Sequence, residues 1–414
     1  MASEKLKILL VNHSDTVGGS SVVTRRLMDA LCAQGVDVRM LVVHKNSDSL
    51  RVASVGSKLS RRMAFLSEHA EIFLRNGFKR DTLFRISTAK YGLSLHTHPW
   101  FKEADVVILN WINQGMLSLK EVERIASLKP TIWTMHDQWN ITGVCHYTDG
   151  CYRWLTEQCR NCPLTGRGNL AHKVFEEKKR IYDNARLHFV AVSSSLANLC
   201  RQSPLMKNAD ISVIPNAFPI DRFPLRPKLN RSDLGLPQDK RLIVMGAARI
   251  DDPVKNLALA IELINDLDSK TWLPVFFGKM KNPSLLNALK TPYLWMGEIS
   301  EHSKLQALMA HADVILSTSV WETLPGTLVE GIACGAYGVA TDNGGQRDII
   351  TSPRLGTLID IRHPVPSLNL LLSNGGLFGV DERIFRHQTM AEQFSPTAVA
   401  GAYLRLIKKI LSQR

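Results

Sequence analysis

Two glutamates, Glu322 and Glu330, bracket the segment Trp321-Glu322-Thr323-Leu324-Pro325-Gly326-Thr327-Leu328-Val329-Glu330. Proline suits the first turn of a helix, where its missing N–H is not needed. A helix opening at Pro325 puts Glu322 in the preceding loop and Glu330 two turns inside. The backbone of Leu324, Pro325, Gly326 and Thr327 then forms a helix start with unpaired N–H groups and partial positive charge, which can hold phosphate. A carboxylate on each side of a bound diphosphate could engage hydroxyl groups. A bare carboxylate pair on an exposed helix reads first as plain solvation, so the surrounding residues decide.

Three further groups carry candidate chemistry. Arg249 and Lys255, in Gly246-Ala247-Ala248-Arg249-Ile250 and Lys255-Asn256, fall between a strand and a helix, where cations can stabilise charge on a phosphate. His136 and Asp137 follow the strand ending at Met135; each also suits a structural role, Asp137 as a helix cap. Cys145, Cys151, Cys159 and Cys162 cluster, with His146 adjoining. Four thiolates fit a tetrahedral structural zinc, while their irregular spacing fits unligated or redox-active thiols as well. Cys32, Cys200 and Cys334 fall on apolar helix faces and are expected in the core.

The elements that must position these residues alternate along the chain. Lys7–Asn12 reads as a buried strand; Gly18-Gly19 turns into a helix over Ser20–Gln34; strands follow at Val38–Val43, Asp105–Asn110, Pro130–Met135, His188–Val192 and Ile211–Ile214. A proline-rich stretch, 216–237, reads as a linker. Strands and helices then resume, with strands at Leu242–Gly246, Leu273–Gly278, Tyr293–Met296, Asp313–Ser317 and Gly338–Thr341. Short buried strands alternating with helices imply parallel sheets. The 414 residues therefore read as two α/β domains, 1–222 and 235–394, with a terminal helical segment, 395–414.

No run of about 18 apolar residues is present, and the short apolar stretch Ile8–Val11 is too brief for an export signal. A cytoplasmic protein is expected, where disulfides are disfavoured. The net charge of +13 points to anionic partners. Within 57–80, Leu59, Met63, Leu66, Ala70, Phe73 and Leu74 form one stripe, with Lys58, Arg61, Arg62, Arg75, Lys79 and Arg80 at its ends. This stripe is expected to face the core, with docking on an anionic membrane surface as the alternative.

The Glu322–Glu330 segment, continued through Gly331-Ile332-Ala333-Cys334-Gly335 and Ala340-Thr341-Asp342-Asn343-Gly344-Gly345, resembles the signature of retaining family 4 glycosyltransferases of the GT-B fold. It departs from that signature at Tyr337-Gly338, where the family usually has Pro-Val, and at Asp348, where it often has Glu. The stretch around Arg249 and Lys255, the Gly18-Gly19 turn and Ile214-Pro215-Asn216 with Asp221 are similar to further features of that family. The cysteine run resembles an insert in bacterial exopolysaccharide transferases of the colanic-acid type.

The resemblance implies two Rossmann-like domains facing a cleft, with the last helix crossing back to the first domain. It implies that Glu322 contacts hydroxyls of a donor sugar and Glu330 the nucleotide ribose. Arg249 and Lys255, with Gly18 and Gly19, would bind the donor diphosphate, and His136 would orient the donor sugar. The implied reaction moves a hexose-type sugar, with retention, from a nucleotide-sugar donor to a glycan or lipid-linked acceptor in surface polysaccharide synthesis. No cofactor is required for it. A nucleotide-sugar epimerase or hydrolase on the same fold is the alternative. A basic nucleic-acid-binding protein with a zinc knuckle accounts for the charge but not for the glutamates, and lacks interleaved aromatic and basic residues. Nucleic acid is therefore not an expected partner.

Overall fold

The computed structural model describes residues 5–80, 82–166, 168–362 and 367–413. The chain divides into two compact units, Met1–Ala217 with Val399–Arg414, and Phe218–Ala398.

The first unit is built on a seven-stranded parallel sheet: β1 (Lys7–Val11), β2 (Asp37–Val42), β3 (Val52–Ser54), β4 (Val106–Leu109), β5 (Thr131–Met135), β6 (Leu187–Ala191) and β7 (Asp210–Val213). Their order is β3-β2-β1-β4-β5-β6-β7. β1 pairs with β2 on one side (Leu9 with Arg39) and with β4 on the other (Leu9 with Val107). Its run Ile8–Val11 is wholly buried because helices cover both faces of a parallel sheet. Ile8, Leu10 and Ile108 meet Leu27 and Leu31 of the helix Gly19–Ala33 and Val399, Tyr403 and Ile407 of the helix Pro396–Ser412. The Tyr403 hydroxyl is hydrogen-bonded to Thr134 Oγ1 (2.9 Å), which ties this last helix to β5.

The helix Lys58–Arg75 departs from expectation. Leu59, Met63, Leu66 and Leu74 are 52–68 % exposed, and the face turned inward carries Ala64, Glu68, His69 and Ile72. Glu68 fixes that rotation. Its carboxylate is fully buried and accepts the N–H groups of Thr88 (2.8 Å), Ala89 (3.0 Å) and Gly115. Three backbone donors outweigh the burial of a few leucines, because a buried carboxylate without them would be costly.

The second unit holds a six-stranded parallel sheet: β8 (Arg241–Arg249), β9 (Trp272–Lys279), β10 (Leu294–Trp295), β11 (Val314–Ser317), β12 (Tyr337–Thr341) and β13 (Gly356–Ile359). The order is β10-β9-β8-β11-β12-β13. Its core joins Ile243 and Met245 to Val314, Leu316 and Val339, with Leu257, Ile261 and Ile264 from the helix Leu257–Ile264. Arg386, on the helix Val380–Phe394, is fully buried. Its guanidinium donates to the carbonyls of Arg354 (2.7 Å), Gly335 (3.1 Å) and Leu377 (2.7 Å) and so joins three segments.

Among the described residues no helix is long and apolar enough to cross a membrane.

Arg386→Met keeps the stem but strands three buried carbonyls. It should lower unfolding stability by on the order of 3 kcal/mol. Urea denaturation checks this, and a loss within error of zero would mean that these carbonyls find other partners.

Candidate functional site

In an open parallel sheet the crevice lies outside the carboxyl ends of the strands, where the strand order reverses. In the second unit this is between β8 and β11, and Arg249, Lys255 and Glu322 lie at these strand ends. β8 ends at Arg249, and a single 3-10 turn, Pro253–Lys255, follows. From the neighbouring strand end, the Thr318 hydroxyl donates to the carbonyls of Lys255 (2.9 Å) and Asn256 (3.1 Å), and Val320 N–H donates to the Val254 carbonyl (2.8 Å). The two loops are thus stitched together by uncharged hydrogen bonds before any charge is considered.

Lys255 Nζ forms an ion pair with Glu322 Oε1, which also accepts the Ser319 hydroxyl (3.0 Å). Both side chains are half-buried. The backbone of Glu322 forms a parallel bridge with Gly344, and Gly345 N–H donates to the Glu322 carbonyl (2.8 Å). A Cβ on Gly344, at φ 106°, would stand 2.2 Å from that carbonyl oxygen, so only glycine admits the approach. Arg249 is engaged differently, with Asp252 and more distantly with Asp251 (3.7 Å). Lys255 and Glu322 are therefore brought together, while Arg249 lies on the same strand end in its own acidic pair.

The helix Gly326–Ala333 begins after Pro325, which is its cap residue rather than its first residue. Leu324 and Pro325 are buried; Gly326 and Thr327 are half-exposed. Glu330, half-buried, is the fifth helical residue, just over one turn in instead of two.

In the first unit the strand order reverses between β1 and β4, and a cavity of about 510 Å³ lies there, lined by His13, Gly18, Gly19, His44, Asn46 and Trp111 among others. Gly18 caps the helix Gly19–Ala33 at φ 92°, ψ 160°, a conformation essentially reserved for glycine. His13 packs edge-on against His44 (5.1 Å between ring centres) and Trp111 (5.5 Å). Among the described residues its Nε2 is buried without a hydrogen-bond partner. Burial and the neighbouring His44 push the His13 pKa down to about 4. Sequence reading missed His13, His44 and Trp111, because single aromatic residues at strand ends carry no spacing signal.

His136 follows β5, with Nε2 3.0 Å from Asn110 Oδ1. Burial lowers its pKa to about 4 against the opposing pull of Asp137, so the ring is neutral near pH 7. Asp137 accepts from Trp111 Nε1 (3.0 Å) and the Trp139 N–H (2.8 Å), and pairs with His146 Nδ1 (2.7 Å). His146 Nε2 meets Ser87 Oγ at 3.0 Å. This is a serine–histidine–aspartate chain in form, but Ser87 is 1 % exposed and no substrate could reach its hydroxyl. It clasps the segment containing the cysteines onto the sheet.

That segment is held from below by Lys178, which is fully buried. Its Nζ donates to the carbonyls of Trp139 (2.6 Å) and Thr142 (3.0 Å) and lies 3.2 Å from the Trp139 ring centre. Cys145, Cys151, Cys159 and Cys162 are free thiols. The Cys145 and Cys162 side chains hydrogen-bond to each other, a contact that lowers the Cys162 thiol and raises that of Cys145. Cys159 Sγ accepts from the Gly143 N–H (3.2 Å), and burial pushes its thiol up to about 11. Among the described residues no group of three or more His, Cys, Asp or Glu is placed to hold a metal ion. Cys162, Cys159 and Cys151 all bear electrostatically on Cys145, so the four thiols considered from the sequence as zinc ligands lie in one neighbourhood.

Residues 17–222 match the family Glycosyltransferase Family 4, and residues 228–367 match Glycosyl transferases group 1. A putative colanic acid biosynthesis glycosyl transferase, WcaC of Escherichia coli (strain K12), is 24 % identical over 308 residues, 68 % of this chain and 69 % of that protein. Among solved structures, sucrose-phosphate synthase from Thermosynechococcus elongatus superposes with a TM-score of 0.66 at 17 % identity, covering 99 % of this chain and all of that one. Anabaena HepE in complex with UDP and glucose gives 0.62 at 13 % identity, covering 98 % and 100 %. WaaG, a glycosyltransferase involved in lipopolysaccharide biosynthesis, gives 0.58 at 15 % identity, covering 97 % and 99 %. The fold is GT-B, two parallel-sheet α/β domains.

Two histidines held neutral by burial make the first unit acid-sensitive. Each has a folded pKa near 4, against about 6.5 when unfolded, so between those values the unfolded chain binds more protons. Their contribution is complete above about pH 6.5 and is lost as pH falls toward 4. Denaturation from pH 7 to 4 should show a shallower loss in His136→Gln than in the parent; parallel curves would contradict a neutral buried His136.

Proposed function

Because the chain belongs to the glycosyltransferases, with a family 4 domain followed by a group 1 domain, we propose that it transfers a hexose, with retention of configuration, from a nucleoside diphosphate donor to a glycan acceptor that is lipid-linked, in surface polysaccharide synthesis. The observation that carries this reading is the Lys255–Glu322 pair at the β8–β11 reversal.

The chemistry follows from the charges. Breaking the bond between sugar and diphosphate leaves negative charge on the phosphate oxygens, and fixed cations stabilise that state. Lys255 and Arg249 are the cations at this strand end. A donor phosphate competing for Lys255 frees the Glu322 carboxylate to accept hydroxyls of the donor sugar. Glu330, one turn further along the helix, takes the ribose hydroxyls. The Leu324–Thr327 backbone at the helix start supports the diphosphate. With no enzyme nucleophile among these groups, the acceptor hydroxyl attacks on the leaving-group face and a donor phosphate oxygen takes its proton. HepE was solved with UDP-glucose, which makes UDP-sugars the first donors to try. The likeness to WcaC supports a polysaccharide acceptor.

The two glutamates should separate kinetically. Glu322→Gln should lower kcat far more than it weakens nucleotide binding, and Glu330→Gln should mainly raise the donor Kd. Transfer assays with product analysis by mass spectrometry and NMR read both this and the anomeric outcome. Both variants within a few-fold of the parent, or an epimerised or merely hydrolysed donor as the only product, would refute the reading.

A further inference from the structure

Among the described residues, the helix Lys58–Arg75 carries an apolar stripe that is exposed along its length. Leu59, Met63, Leu66, Ala70 and Leu74 recur at the spacing that aligns side chains along one helix face, and all are exposed. Phe78, 64 % exposed, extends the stripe past the helix end, held edge-on against Phe73 at 5.3 Å. Scattered exposed leucines need no explanation, but a continuous stripe of this length marks an interaction surface.

The charges around it select the partner. Lys58 and Arg62 lie exposed at one end; Arg75, Lys79 and Arg80 lie exposed at the other. Arg61 is turned away, donating to the Val43 carbonyl (2.6 Å). Neither carboxylate of the helix opposes them: Glu68 is buried under its three N–H donors, and Glu71 is paired with Lys90 (2.5 Å). Asp81 lies outside the described residues. A second copy of this helix is a poor occupant. Packed antiparallel it would set one basic end against the other, and packed parallel it would set each basic end against itself. Like charges in either register are unfavourable.

We propose that this face docks on an anionic lipid bilayer. The stripe enters the headgroup boundary while the cations at both ends meet lipid phosphates, as amphipathic helices with a basic rim do. The rotation of the helix imposed by Glu68 is what presents the stripe outward. The surface is independent of the donor site, so its test does not depend on the identity of the sugar.

The full chain should be sedimented with vesicles of phosphatidylcholine alone and with vesicles also containing phosphatidylglycerol. Binding should need the anionic lipid and fade as salt is raised, because screening weakens surface attraction. Met63→Glu with Leu66→Glu should abolish binding, and Arg62→Ala with Lys79→Ala should weaken it by about tenfold or more. All four side chains are exposed, so thermal unfolding midpoints should stay at the parent value and serve as the folding control. Equal partition into neutral and anionic vesicles, or no partition into either, would overturn the proposal. So would a glutamate variant that converts a dimer into a monomer while parent protein ignores vesicles, since the face would then belong to a second copy.

Discussion

A parallel sheet reaches each new strand by a crossover, and where the order of strands reverses, adjacent connections leave in opposite directions. The crevice this opens at the strand ends is the constraint on which both units depend. Between β8 and β11 it is bounded by two loops that the Thr318 hydroxyl and the Val320 amide hold in register. Between β1 and β4 it is bounded by the Gly18 turn and Trp111.

At the β8–β11 crevice the Lys255–Glu322 pair is a charge-balanced resting arrangement. A half-buried ammonium next to a carboxylate is stable as it stands, yet either partner can be exchanged for a ligand group of the same sign. Under the proposed function, a phosphate replacing the carboxylate at Lys255 would leave Glu322 beside the sugar arriving with it, so that binding and positioning would be one event. The cysteine segment shows the contrasting case. Lys178 there is satisfied by two carbonyls and the Trp139 ring, and the Asp137–His146–Ser87 chain is closed in on itself. These groups are engaged with one another, and they hold the loop after β5 in place.

Much of this was legible in the sequence where a physical signal is local. Buried strands such as Ile8–Val11, glycine turns and the two-glutamate segment announce themselves by run length, backbone demand and spacing. β3 and β13 escaped because Val52–Ser54 and Gly356–Ile359 are short edge strands without a long apolar run. The rotation of the helix Lys58–Arg75 escaped for another reason: apolar periodicity identifies a face but not its destination, and three distant backbone amides reaching for Glu68 decided it. The cysteine cluster was visible as a composition, while the pairing of Cys145 with Cys162 depends on side-chain direction that spacing cannot encode. His13 and Trp111 became site candidates only when β1 and β4 were seen to be neighbours.

The central claim is that Lys255 serves a diphosphate. Titration calorimetry of UDP and of uridine against the parent and Lys255→Met measures this without reference to acceptor or sugar. A charge-assisted contact is worth about 1.5–3 kcal/mol, so UDP affinity should fall by roughly ten- to a hundredfold while uridine affinity stays unchanged. Equal losses for both ligands, or undiminished UDP binding, would contradict the account.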